Sequence, residues 1–141
     1  MKILFICEGN VGRSQIAEAI FNNVSKGKYI ATSAGTKVIN EDSNNEGQKI
    51  KDKDLNVVEV VKEIGIDISE NVRKQLTPKV FNEADKVIVI NPSENIPEYI
   101  KTNKKVTYWE IADPFNKPIE FTKQIRNQLQ ISVSNFIKTL D

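Results

Sequence analysis

Cys7 is the chain's single cysteine, and it is followed by Glu8-Gly9-Asn10-Val11-Gly12-Arg13-Ser14. The glycines, the arginine and the helix start in this run suit the binding of a tetrahedral anion. Gly9 and Gly12 permit backbone turns that aim successive N–H groups at one point. A helix starting near Ser14 adds unpaired N–H donors and the positive end of its dipole. Arg13 supplies a planar fork that grips two phosphoryl oxygens at once. The phosphate-binding segment is therefore read as Glu8, Gly9, Asn10, Val11, Gly12, Arg13 and Ser14. Thiols with a pKa of about 8.5 fall to ~3.5–7.5 beside helix N-termini and cations. The same cradle is thus expected to hold phosphate and to ionise Cys7 as a nucleophile. Asn10 is expected to pin the loop by hydrogen bonds, and Ser14 to support the sulfur.

What the chain lacks narrows the chemistry further. It has no histidine, so Cys-His and Ser-His-Asp catalysis are excluded. One cysteine without histidine also excludes the usual zinc ligand sets. No metal and no cofactor is expected. Proton transfers must run through carboxylates, lysine, tyrosine or the thiol itself. Lys+Arg of 20 against Asp+Glu of 19 leaves a formal net charge of +1. That balance gives no field for nucleic acid or an anionic membrane, so neither is expected as a partner. The opening run Ile3 to Cys7 is too short for a signal-peptide core or a membrane span. A lone cysteine suits a reducing compartment, and the expected location is the cytoplasm. The chain is read as a monomer.

These residues need a scaffold, and the apolar pattern supplies one. Ile3 to Ile6 reads as a buried strand ending in Cys7. Ile16, Ala17, Ile20, Phe21 and Val24 then form a helical stripe, with Gln15, Glu18 and Asn22 opposite and Gly27 at the stop. Tyr29 to Ser33 reads as a second strand, ending in Ala34-Gly35. Residues 37–53 are read as a solvated loop. Leu55 to Ile64 is read as a helix despite its valines, because Val57, Val61 and Ile64 share a face and Gly65 suits C′. Further strands run from Asp85 to Ile90, halted by Asn91-Pro92, and from Val106 to Trp109, with a short helix near Glu94 to Thr102 between them. Pro118 suits a first helical turn. From there Phe121, Ile125, Leu129, Val133, Phe136 and Leu140 repeat at helical spacing. The expected fold is α/β: one domain over 1–141, a three-layer sandwich with a four-stranded parallel sheet and helices on both faces. Ligands bind outside the carboxyl ends of such strands, where Cys7, Ser33, Asn91 and Asp113 all fall.

The C-x5-R-S opening resembles the low-molecular-weight protein tyrosine phosphatase family, which also includes arsenate reductases. The resemblance extends through Ala31-Thr32-Ser33-Ala34-Gly35-Thr36, Arg73-Lys74-Gln75-Leu76-Thr77 and the Asp85 to Ile90 strand, to Asp113-Pro114. It implies that Cys7, Arg13 and Asp113 are catalytic, with Asp113 as the general acid. A phenolate of pKa about 10 leaves slowly without a proton, and general acids contribute roughly 10²–10⁴-fold. The implied activity is hydrolysis of a phosphorylated protein or a small aryl phosphate.

Four features depart from the family pattern. Glu8 places a carboxylate next to the nucleophile, where it would repel phosphate unless turned to solvent. Gly12 stands where many relatives carry a second loop cysteine, so over-oxidised Cys7 has no internal rescue. Residues 37–53 hold no aromatic residue for the wall of a substrate slot; Phe115 is the candidate wall, and Tyr99, Tyr108 and Trp109 are the other aromatic candidates. The two additional cysteines of thioredoxin-linked arsenate reductases are missing. Arsenate reduction with an external thiol, or non-catalytic phosphate binding, are the alternatives to hydrolysis. Arg73 and Lys74 read as an ordinary solvated pair.

Overall fold

The computed structural model describes residues 1–90 and 96–141. Four parallel strands form one sheet in the order β2-β1-β3-β4: β1 (Lys2–Cys7), β2 (Ile30–Gly35), β3 (Lys86–Ile90) and β4 (Val106–Trp109). Between and after them lie the helices α1 (Arg13–Ser25), α2 (Leu55–Lys62), α3 (Pro78–Glu83), α4 (Glu98–Lys101) and α5 (Ile119–Lys138). The expected single-domain α/β sandwich is the fold.

Side-chain alternation along the strands divides the core. Ile3, Phe5, Cys7, Ile88 and Ile90 face α1, α2 and α5. Leu4, Ile6, Ala34, Val87 and Val89 face the shorter helices α3 and α4, meeting Phe81 and Ile100. The larger layer is tightened by aromatic rings, with Phe5 at 5.9 Å from Phe21 and 5.8 Å from Trp109, and Phe136 closing over Trp109 at 6.1 Å. The Phe5–Phe21 and Trp109–Phe136 pairs are edge-to-face, an arrangement that adds about 0.5–1.5 kcal/mol each beyond burial. Trp109 is thereby committed to the core, and Tyr99 packs edge-on against Phe81 at 5.1 Å, so neither borders the site. Tyr108 is exposed on β4 and is also absent from it.

The valine-rich stretch is helical as expected. Asp54 caps it, its carboxylate accepting from the N–H groups of Asn56 at 3.1 Å and Val57 at 3.4 Å, and Val57, Val60 and Val61 are fully buried. Capping plus burial of a three-valine stripe outweighs the modest intrinsic preference of valine for strands. The α-helix closes at Lys62, and Gly65 takes a left-handed φ of +85° just beyond.

Several expectations need correction. Gln15 is not on a polar face: it is fully buried, while Val24, assigned to the apolar stripe, is 46% exposed. The second strand is shifted to Ile30–Gly35 and the third starts at Lys86. Residues 37–53 are not simply a solvated loop, since Val38 and Ile50 are fully buried, and a 3₁₀ turn spans Ile50–Asp52. Bridges from Ile39 to Asn44 and from Lys49 to Val72 tie the segment down. The sequence reading has no counterpart for α3, although Thr77-Pro78 is a cap followed by a first-turn proline, and Thr77 Oγ1 accepts from the Val80 N–H at 3.2 Å. Pro118 is the N-cap of α5 rather than part of its first turn. The short helix is Glu98–Lys101; Glu94, the Asn91-Pro92 stop and the strand-end position of Asn91 lie outside the described residues. Among the described residues no helix is long and apolar enough to cross a membrane.

Candidate active site

The sheet's winding changes direction between β1 and β3, the place where open α/β sheets bind ligands at their carboxyl ends. Cys7 is the last residue of β1, and the loop from Glu8 to Gly12 leads from it into α1. The carbonyls of this loop are engaged on its outer side. Thr36 N–H donates to Cys7 O at 3.0 Å, Lys37 N–H to Glu8 O at 2.9 Å, and Arg73 Nε to Gly9 O at 3.0 Å. The N–H groups of Glu8 to Gly12 donate to no protein acceptor among the described residues. With carbonyls turned out and amides left over, the loop is an anion nest continued by the first turn of α1.

Asn10 holds the nest in shape. It sits fully buried at a left-handed φ of +53°, a conformation that asparagine tolerates better than most residues. Its Nδ2 donates to Ser14 Oγ at 2.8 Å and Ser33 Oγ at 3.0 Å. Its Oδ1 accepts from Gln15 Nε2 at 3.0 Å and from the Lys74 N–H at 2.9 Å. Gln15 is buried because this acceptor, and Val72 O at 3.1 Å, each take one of its amide protons. Ser14 Oγ lies 3.0 Å from Cys7 Sγ. Cys7 as a residue is 4% exposed and lines the pocket above the loop.

Two glycines allow the loop to be packed this closely. A Cβ on Gly35 would fall 2.7 Å from Glu8 O and 2.9 Å from Asn10 N, distances no side chain can occupy. A Cβ on Gly12 would come within 3.3 Å of the Pro114 ring, because the 110–116 segment crosses directly over it. Gly35 was visible in sequence only as the end of a strand. Its role beneath the loop depends on the pairing of β1 with β2, which places Cys7 opposite it.

Arg13 is 5% exposed, with Nη1 donating to Ile111 O at 3.2 Å and Nη2 at 3.7 Å from Asp113 Oδ2. Asp113 is on the opposite lip, its side chain 60% exposed and its Oδ1 accepting from the Phe115 N–H at 3.0 Å. Phe115 forms the outer wall, and Lys53 Nζ stands 4.6 Å from its ring centre. Cys7, Glu8, Gly9, Val11, Gly12, Arg13, Asp113 and Phe115 thus border one pocket, while Asn10 and Ser14 support it from within. Glu8 is exposed at its mouth.

Five pocket residues were given no role from sequence: Lys37, Lys53, Asp54, Arg73 and Pro114. Arg73 is no solvated residue. It is 6% exposed, with Nη1 donating to Gln48 Oε1 at 2.7 Å. Burial pulls its guanidinium below the usual arginine value, with the Cys7 sulfur acting in the opposite sense. Lys74 is partly buried, paired with Glu18 at 3.6 Å. Asp54 has its carboxyl raised above the ordinary aspartate value, first by burial and also by the charge of Asp113, with its capping bonds opposing.

Comparison with known proteins agrees with this geometry. A family model described as low molecular weight phosphotyrosine protein phosphatase matches residues 2–141. An arsenate reductase of Staphylococcus aureus (strain Newman) is 29% identical over 136 residues, spanning 95% of this chain and 94% of the relative. A low molecular weight protein tyrosine phosphatase from T. tengcongensis superposes with a TM-score of 0.80 at 30% identity, covering 99% of both chains. An arginine phosphatase from Geobacillus stearothermophilus superposes at 0.78 with 27% identity, covering 99% of this chain and 92% of the other. With its sequence matched almost end to end, the chain belongs to the low molecular weight phosphotyrosine protein phosphatase family.

Proposed function

We propose that the chain hydrolyses phosphomonoesters of the phosphotyrosine type through a cysteinyl-phosphate intermediate. The observation that carries this reading is the position of Cys7, in a pocket bordered by unpaired loop amides and shared with Arg13, its Sγ 3.0 Å from Ser14 Oγ. The phosphoryl oxygens take the amides and Arg13, and the sulfur then lies in line with phosphorus. The thiolate attacks, an S–P bond forms, and the P–O ester bond breaks. Asp113 delivers its proton to the departing oxygen. Its carboxylate then accepts a proton from water attacking the thiophosphate, releasing orthophosphate and the Cys7 thiolate. Ser14 donates to the sulfur as it leaves. Catalysis here is positioning plus charge stabilisation, as for phosphoryl transfer generally.

The curated relatives favour a second reading, reduction of arsenate. Arsenate matches phosphate in shape and charge and fits the same nest. Its two-electron reduction consumes two thiols, and this chain supplies one, so a small external thiol must supply the other. Turnover of an aryl phosphate and of arsenate with a monothiol, measured side by side, separates the two. Aryl phosphate hydrolysis is expected to dominate, and Cys7→Ser is expected to lower it by more than about 10⁴-fold while orthophosphate still binds. Hydrolysis that survives Cys7→Ser sinks the mechanism, and arsenate turnover without ester hydrolysis moves the assignment to the second reading.

A further inference from the structure

Arg73 takes no part in the reaction just described, yet its side chain borders the same pocket as Cys7. Two edges of its guanidinium are committed, Nε to Gly9 O and Nη1 to Gln48 Oε1. Nη2 has no protein acceptor among the described residues and lies 3.6 Å from the position a Cβ on Gly9 would take. A side chain 6% exposed therefore holds a fixed, unmatched pair of N–H donors at the pocket wall. These donors open onto the pocket rather than into the protein interior, where an anionic group can take both in a charge-assisted pair.

Two lysines also border the pocket: Lys53 stands over the Phe115 ring, and Lys37 is tied to the loop carbonyl next to the one that Arg73 holds. Lys37 is half-buried, anchored through its backbone N–H to Glu8 O at 2.9 Å, and its ammonium makes no ion pair among the described residues. The carboxylates nearby are otherwise engaged: Asp54 caps α2 and Asp113 pairs with Arg13. Glu8 forms no ion pair among the described residues, although its backbone holds Lys37 in place. A phosphoryl dianion is already matched by Arg13 and the loop amides. The positive charge of Arg73 and Lys37 is left for something else on the substrate.

We propose that Arg73 and Lys37 form a second anion subsite beside the phosphoryl cradle, which selects phosphomonoesters whose non-reacting part carries its own carboxylate or phosphate. This specificity rests on the hydrolase reading but has a readout that does not require turnover. Phosphonates keep the cradle-binding group and cannot be hydrolysed. Calorimetry with phenylphosphonate and carboxyphenylphosphonate is expected to show the carboxylated ligand binding about tenfold tighter at low salt, the preference shrinking as salt rises. Lys37→Gln should reduce the ratio of the two affinities to about threefold, and Arg73→Gln to about one. Taking the ratio cancels any loosening of the loop that Arg73→Gln causes for both ligands alike, and Lys37→Gln spares the Gly9 contact altogether. Phosphotyrosine peptides carrying Glu or Gln beside the phosphorylated residue identify the source of the second charge. Preference for the Glu peptide assigns the subsite to phosphoproteins, and preference confined to the small phosphonate assigns it to small substrates. Equal binding in both comparisons, or a ratio that neither substitution changes, overturns the proposal. Carboxylate-dependent phosphonate binding without hydrolysis of any ester defeats the hydrolase reading alone; hydrolysis without carboxylate preference defeats the subsite alone.

Discussion

The two lips of the pocket are built differently. On the Cys7 side, Asn10, Ser14, Gln15, Ser33 and Lys74 form a buried, mutually satisfied network, with each loop carbonyl from Cys7 to Gly9 held from outside. On the Asp113 side, the acidic side chain is 60% exposed, its contact with Arg13 is a long 3.7 Å, and Phe115 is 39% exposed. Saturated buried networks rigidify, and sparsely bonded exposed segments open at low cost. The difference teaches a division of labour. The phosphoryl group meets a preformed cradle, while the acid and the aromatic wall can adjust to the leaving group.

If that division holds, substitutions on the exposed lip should change the rate and leave stability alone. Asp113→Asn is expected to lower turnover of phenyl phosphate by roughly 10²–10⁴-fold, far less for an ester with an activated leaving group, with the melting temperature unchanged. Equal losses for both esters would remove Asp113 from the acid role, and a fall in melting temperature would break the contrast between the lips.

Under the cradle the two quantities should fall together. Gly35→Ala forces a methyl group to within 2.7 Å of Glu8 O, and overpacking typically costs 1–3 kcal/mol, about that here. Denaturant unfolding and orthophosphate binding should both weaken. A variant with native stability and a lost cradle would show that the loop is less tightly supported than its hydrogen bonds imply.

The smallest effect sharpens the comparison at its boundary. Asp54 caps α2 and also borders the pocket. Asparagine caps about as well as aspartate, so Asp54→Asn removes charge without removing the cap. Orthophosphate should bind about twofold tighter at neutral pH. The pH dependence has a definite sign. Because its folded carboxyl is raised, Asp54 contributes stability that is fully present below its unfolded value and is lost as pH rises through the raised one. Melting curves should therefore show Asp54→Asn gaining on the parent between acid and neutral pH. A gain that runs the other way would place the capping bonds above desolvation.

The contrast between the lips also explains what could be read from the sequence. The Cys7 to Ser14 run was legible because its function rests on local turns and a helix start, all encoded within eight consecutive residues. The strands and α5 were legible because burial imposes their periods. Gln15 and Arg73 were misread because their partners are distant: Arg73 meets Gly9 across 64 positions, and Gln15 meets Val72 across 57. Hydropathy patterning treats such residues as solvent-facing, since nothing in their neighbourhood announces a buried acceptor. Thr77-Pro78 did carry a local signal, and α3 could have been found from it.

Although the nucleophile and its ligating amides are consecutive in the chain, what orients them is not. Asn10 is locked by Lys74, 64 positions away, and the carbonyls are turned outward by residues that arrive with β2 and with the strap around Arg73. A newly made polypeptide therefore has the whole motif long before it has a receptor. Competence to capture an oxyanion emerges only when that distant strap has closed, which makes ligand occupancy a check on completed folding.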